Sequence, residues 1–172
     1  MTDKTASTDY PIHELLAKRW SPYGFQDRPV AQVDLRCLFE AARWAASSYN
    51  EQPWSFLVAT REDPEEFARL LSCLVDGNQG WAKAAPVLAL GVVSLRFSRN
   101  NKENRAAVHD LGLAAGNLVV EATARGLCVH QMIGCGKVFW HYPARRARAF
   151  QYWSHWPLSW SATRFIIPAA WS

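Results

Sequence analysis

Ala46-Ser-Ser-Tyr-Asn-Glu-Gln-Pro-Trp54 crowds hydroxyls, two amides and two aromatic rings between an apolar-periodic segment and a strand-like one. Structureless connections tend to be charged, glycine-rich or short. This one instead carries amide donors and acceptors able to read the edge of a heteroaromatic ring, and Pro53 fixes φ beside them. A flat, hydrogen-bonding cofactor fits such a loop. An Asn-containing turn that caps its own backbone fits the nine residues equally well, so the choice rests on what surrounds them.

Working outward, the flanks alternate between helix and strand patterns. Asp34 is placed to cap a helix through Ala45 that buries Leu35, Leu38, Phe39 and Ala42. Phe56–Thr60 reads as a strand, and Asp63-Pro64 opens a helix through Phe67, Leu70, Leu71 and Leu74. Pro86–Val93 is apolar without alternation, as expected of a strand buried on both faces and central in its sheet. Pro11–Lys18 has the apolar spacing of a short helix. The longest helix is expected from about Asn104 to Arg125, with Gly126 at the left-handed C-terminal position. Its apolar stripe is Val108, Leu111, Ala115, Leu118, Val119 and Ala122. Gly112 and Gly116, four apart, suit either a core helix or the close approach of a second subunit. Leu127–Met132 follows as a strand leading into Ile133-Gly134.

The chain has 172 residues and 49% hydrophobic content, enough for one sizeable core, and no linker or internal repeat divides it. No apolar run approaches the roughly 20 residues that span a bilayer, and the polar start lacks a secretory apolar core. A cytoplasmic protein with no membrane partner is the expectation. Cys37, Cys73, Cys128 and Cys135 show no metal-ligand spacing, which favours reduced thiols. The formal charge of +4 resides in the tail: from Lys137 onward there are five Lys/Arg and no acid, so the first 136 residues carry −1. Stacking aromatics interleaved with cations can grip single-stranded nucleic acid. Because the net positive charge is confined to an anomalous tail, no nucleic-acid partner is expected.

Four motifs in order, spanning Leu15 to Gly134, resemble the nitroreductase family of flavin enzymes. They are Arg19-Trp-Ser-Pro-Tyr-Gly-Phe25, Ala45-Ala-Ser-Ser-Tyr-Asn-Glu-Gln-Pro-Trp-Ser-Phe56, Gly77-Asn-Gln-Gly-Trp-Ala-Lys-Ala-Ala-Pro-Val87 and Val129-His-Gln-Met-Ile-Gly134. The resemblance implies an α+β fold with a mostly antiparallel central sheet flanked by helices. It also implies an intertwined homodimer with two FMN sites at its interface, and reduction of nitroaromatics, quinones or similar small-molecule acceptors by NAD(P)H. By motif, Arg19, Trp20, Ser21 and Tyr23 belong to the FMN site, with Arg19 and Ser21 on the phosphate and ribityl chain. Ser47, Ser48, Asn50 and Gln52 reach the flavin of the partner subunit. Asn78 lies in the third motif, and Gln131, Met132, Ile133 and Gly134 form the edge beside the ring. No side-chain nucleophile, paired carboxylate or metal is implied, because the flavin carries the chemistry. His109 and His130, each on an apolar element, read as structural histidines. Trp54 and Trp81 suit either an acceptor pocket or the core.

Two positions depart from the family pattern: Tyr23 stands where Lys or Arg is usual, and Ala46 where proline is common. From Cys135 the departure is complete. Residues 1–134 read as a nitroreductase-like domain, and 135–172 as a Trp/Arg-rich tail in place of the family's last helix and strand. Five of the nine tryptophans lie after residue 136, in no clear period. Back-translated with permitted codons and read one base later, Lys137–Pro143 gives RYFGIIP and Phe150–Trp156 gives FNIGLIG, a turn and strand end of the family's type. This points to a frameshift. It leads to the expectation that a sheet strand and a set of phosphate cations are missing, with an unpaired buried edge, poor solubility, weak FMN retention and impaired activity.

Overall fold

In the computed structural model, residues 4–132 and the backbone of residues 160–167 are described. The elements are α1 (Glu14–Lys18), α2 (Gln32–Arg43), β1 (Trp54–Thr60), α3 (Pro64–Ser72), α4 (Asp76–Ala82), β2 (Val87–Ser94), α5 (Ala107–Ala124), β3 (His130–Met132) and β4 (Trp160–Ile167). The four strands form one sheet in the order β1-β2-β4-β3, and every pairing is antiparallel. Trp54 to Thr60 pair with Val93 to Val87, and β2 pairs on its other edge with β4 from Val87↔Ile167 to Ser94↔Trp160.

The unalternating run of β2 is explained by its surroundings: seven of its eight residues are buried. Val87 and Ala89 face α2 and α5, packing with Leu35, Leu38, Ala42, Ala114, Leu118 and Ala122. Leu88 faces the opposite layer, with Phe67 of α3, Ala82 of α4, and Met132. A strand covered on both faces has no solvent side on which alternation could be useful.

Several boundaries differ from the sequence reading. Helix α2 begins one turn earlier than expected, after Ala31. Asp34 therefore lies in its first turn, where it complements the helix dipole and pairs with Arg125 at 3.0 Å. Helix α1 starts at Glu14, with the His13 ring accepting the Leu15 N–H at 3.2 Å. Helix α5 starts at Ala107, because the Asn104 side chain turns the chain by accepting the Ala106 N–H at 3.1 Å. Helix α4 was not expected as a helix, since Gly77 and Gly80 depress its propensity and tertiary packing of Ala82 overrides that. Asp63 caps α3 as expected, accepting the Glu66 N–H at 3.2 Å, and Gly126 has φ 67.

The largest correction concerns the tail. The expected missing strand and unpaired edge are not found: Trp160–Ile167 forms β4, inserted between β2 and β3. Hydrogen bonding along a strand is made by the backbone, so residues with no legible period still complete the ladder. Ile133, Gly134 and the remainder of the tail lie outside the described residues.

Candidate functional site

The expected site residues fall into two groups. The first gathers at the β3 edge. Arg19 Nη1 donates to Ser21 Oγ at 3.2 Å in the irregular turn after α1, and among the described residues this guanidinium faces no carboxylate. Trp20 lies beside Lys4, whose Nζ is 5.7 Å from its ring centroid. Tyr23 is 67% exposed, yet its ring stands edge-on to Trp81 at 4.9 Å and to His130 at 4.8 Å. Trp81 lies 4.7 Å from His130 and donates through Nε1 to Asn78 Oδ1 at 3.3 Å. Asn78 is thus drawn into the same cluster. Gln131 is exposed and Met132 buried, as alternation along β3 requires.

The second group is the loop 46–53. Its backbone is bent: Tyr49, Asn50 and Gln52 have φ 56, 54 and 47. Non-glycine residues pay roughly 1–3 kcal/mol each for such conformations, which persist only when surroundings enforce them. Here the surroundings are visible. The Ser48 N–H donates at 2.9 Å to Asp110 Oδ2, a carboxylate on α5 that is almost fully buried. The Gln52 N–H donates to Ser47 Oγ at 3.0 Å, and its side-chain amide reaches Asn50 Oδ1 at 3.3 Å and the Arg43 carbonyl at 3.4 Å. Glu51 accepts the Ser98 N–H at 2.6 Å, tying the loop to the segment after β2. The Arg99 guanidinium lies 4.0 Å from the Tyr49 ring centroid and braces it from outside.

Among the described residues, no hydrogen bond or ring contact joins Tyr23, Asn78 or His130 to Ser47, Asn50 or Gln52. Within one chain the expected residues therefore form two separate groups, each a candidate half-site. Asp110, Glu51 and Arg99 were not singled out from the sequence. The signal for Asp110 was available, as the one acid within the apolar stretch Ala106–Val120. The histidines part ways: His109 is an exposed ring whose Nδ1 is 3.1 Å from Asp110 Oδ1, whereas His130 is buried. Trp54 packs against the core, and Trp81 serves both core and site.

A helix-flanked antiparallel sheet with a braced amide loop and an Arg-Ser turn is a candidate cofactor scaffold, and comparison with known proteins bears on its fold and family. Residues 16–87 match the nitroreductase family model. A Streptomyces coelicolor protein carrying the name NADH dehydrogenase/NAD(P)H nitroreductase is 39% identical over 75 residues, 44% of this chain and 36% of that protein. The crystal structure of an FMN-containing oxidoreductase superposes with a TM-score of 0.79 at 25% identity, covering 100% of this chain and 83% of that one. A Desulfovibrio desulfuricans nitroreductase solved in complex with FMN gives 0.60 at 26% identity, over 73% and 69% of the two chains. Over residues 16–87 the chain resembles the nitroreductase family, and its fold is nitroreductase-like. It spans about a third of the length of the curated relatives it matches.

Proposed function

We propose that this chain is an FMN-dependent oxidoreductase, taking reducing equivalents from NAD(P)H and delivering them to a nitroaromatic, quinone or similar acceptor. The observation that carries the reading is the 47–52 loop, held in a costly backbone conformation by bonds to Asp110 and Ser98 and by its own Gln52–Ser47 bond while its amides stay at the surface. Strain maintained at that expense suits a preorganised ligand contact. The donor set fits FMN: a guanidinium that faces no carboxylate among the described residues and a neighbouring hydroxyl for the phosphate, amides for the ring edge, and the exposed Gln131 on β3.

When bound, the flavin supplies hydride acceptance and donation. The protein's own part is placement. Arg19 and Ser21 hold the anion, Trp81 and Tyr23 wall the β3 edge, and Asn50 and Gln52 orient the ring. Gln131, with Ile133 and Gly134, is assigned to the ring edge, the last two lying outside the described residues.

The homodimer is part of the proposal. Val108 and Leu113 are exposed on α5, and a Cβ added at Gly112 or Gly116 would meet nothing within 4 Å in the protomer. Glycine costs a helix about 1 kcal/mol relative to alanine, and no packing among the described residues demands it here. A partner helix approaching closely accounts for it, and brings each loop to the other subunit's β3 edge. No helix among the described residues is long and apolar enough to cross a membrane.

The test is the absorbance spectrum of the purified protein, before and after FMN addition and gel filtration. Flavin bands eluting with a dimer are expected; a colourless monomer after saturation with FMN overturns the reading. Pairing of β4 on both sides supplies the strand whose loss would favour an impaired enzyme, and the gene's codons decide the frameshift itself.

A further inference from the structure

His130 sits where the two parts of the β3-side half-site meet. Residues 21–29 make no backbone–backbone hydrogen bond among the described residues, so nothing in the main chain fixes the Arg19–Tyr23 turn against the sheet. A side-chain bond to the first residue of β3 does. His130 Nδ1 lies 2.9 Å from the Pro22 carbonyl oxygen, across 108 residues of sequence, in a buried setting. A carbonyl only accepts, so Nδ1 carries the proton. The ring is clamped by Tyr23 at 4.8 Å and Trp81 at 4.7 Å, and Pro22 is itself buried. His130 is also the first residue of β3, directly before Gln131.

We propose that His130 is a positioning residue: its Nδ1–H bond to Pro22 locks the phosphate-holding turn in register with the ring-holding edge, so that FMN meets both as one rigid site. The inference rests on the FMN reading above. Its signature is specific. Uncoupling the two parts weakens a flavin that spans them, but leaves a flavin lacking the phosphate, which uses only the ring edge, nearly unaffected.

The experiment compares FMN and riboflavin binding, by quenching of flavin fluorescence, in the full chain and in His130→Phe, His130→Gln and His130→Asn. Loss of one buried hydrogen bond predicts about fivefold to tenfold weaker FMN binding in the Phe variant, with riboflavin changed by less than about twofold. The Asn amide nitrogen occupies the place of Nδ1 and recovers most of the loss, whereas that of Gln reaches the place of Nε2 and does not. Equal weakening of both flavins, or an unchanged FMN-to-riboflavin ratio, overturns the inference and leaves the FMN reading standing. If the parent protein binds neither flavin, the FMN reading itself fails. Should the variants not fold, nitrogen-15 imidazole spectra of the parent decide: protonated Nδ1 supports the inference, and the Nε2–H tautomer, unable to donate to Pro22, overturns it.

Discussion

At the scale of single residues, Tyr23 and Asp110 test the site most directly. Tyr23 is largely exposed and contributes two edge-on ring contacts, worth roughly 0.5–1.5 kcal/mol each at most. A guanidinium there adds a positive charge that a phenol cannot supply. Tyr23→Arg is expected to tighten FMN binding and raise the flavin midpoint potential, read by equilibrium titration and redox titration; no change in either sinks this account of the position. Asp110 holds the Ser48 N–H from a buried site. Asp110→Ala is expected to cost about 1–3 kcal/mol in urea unfolding. It should weaken FMN binding as well, because the strained loop then loses an anchor. Wild-type flavin affinity in this variant would show that the loop is held by its other contacts alone. Both residues teach something about legibility. Tyr23 was found through its motif, whereas the partner of Asp110 lies 62 residues away, a pairing no local pattern encodes.

At the scale of elements, the end of α2 sets where the loop departs. Glu40 accepts from Arg43 Nε at 2.9 Å and Nη2 at 2.5 Å, and from Trp44 Nε1 at 2.9 Å. The Arg43 and Trp44 hydrogen bonds hold its carboxyl down at about 2, below the ordinary value of 4.5. A lowered folded-state value means that the stabilisation is complete above about pH 4.5 and fades as pH falls through about 2. Glu40→Gln should therefore lower the thermal midpoint slightly at neutral pH, the groups being solvent-exposed, and match the parent near pH 2. A difference that persists at low pH refutes the assignment. The elements themselves were mostly readable, since β2, α3 and α5 carry strong periodic or capping signals. Helix α4 was not, because its glycines argue locally against a helix that packing of Ala82 and Trp81 enforces.

At the scale of the whole molecule, the sheet and the proposed dimer face on α5 are the features to test. Phe165 of β4 pairs with Ala89 of β2 on one side and Gln131 of β3 on the other. Proline is excluded from such interior positions. Phe165→Pro is expected to abolish soluble expression; a soluble, flavin-retaining variant would mean that β4 is dispensable. On the outer face of α5, a Cβ at Gly116 meets nothing within 4 Å among the described residues, so Gly116→Leu is expected to improve helix propensity yet block close approach of a second helix. Unaltered circular dichroism, a monomeric sedimentation profile and loss of flavin are expected together. A dimeric, yellow variant would move the interface elsewhere.

The sequence by itself determined the resemblance to the nitroreductase family, the α+β alternation, the burial of β2 on both faces and the two candidate ligand motifs, because these are local signals: periodicity, caps, and side-chain chemistry at fixed spacing. Only the tertiary structure decided that Asp110 and Glu51 brace the loop, that His130 bonds Pro22, and that residues 160–167 complete the sheet. The reason is physical. Long-range hydrogen bonds join residues with no spacing rule between them. A strand buried between two others is specified by the backbone edges it satisfies as much as by its own side chains.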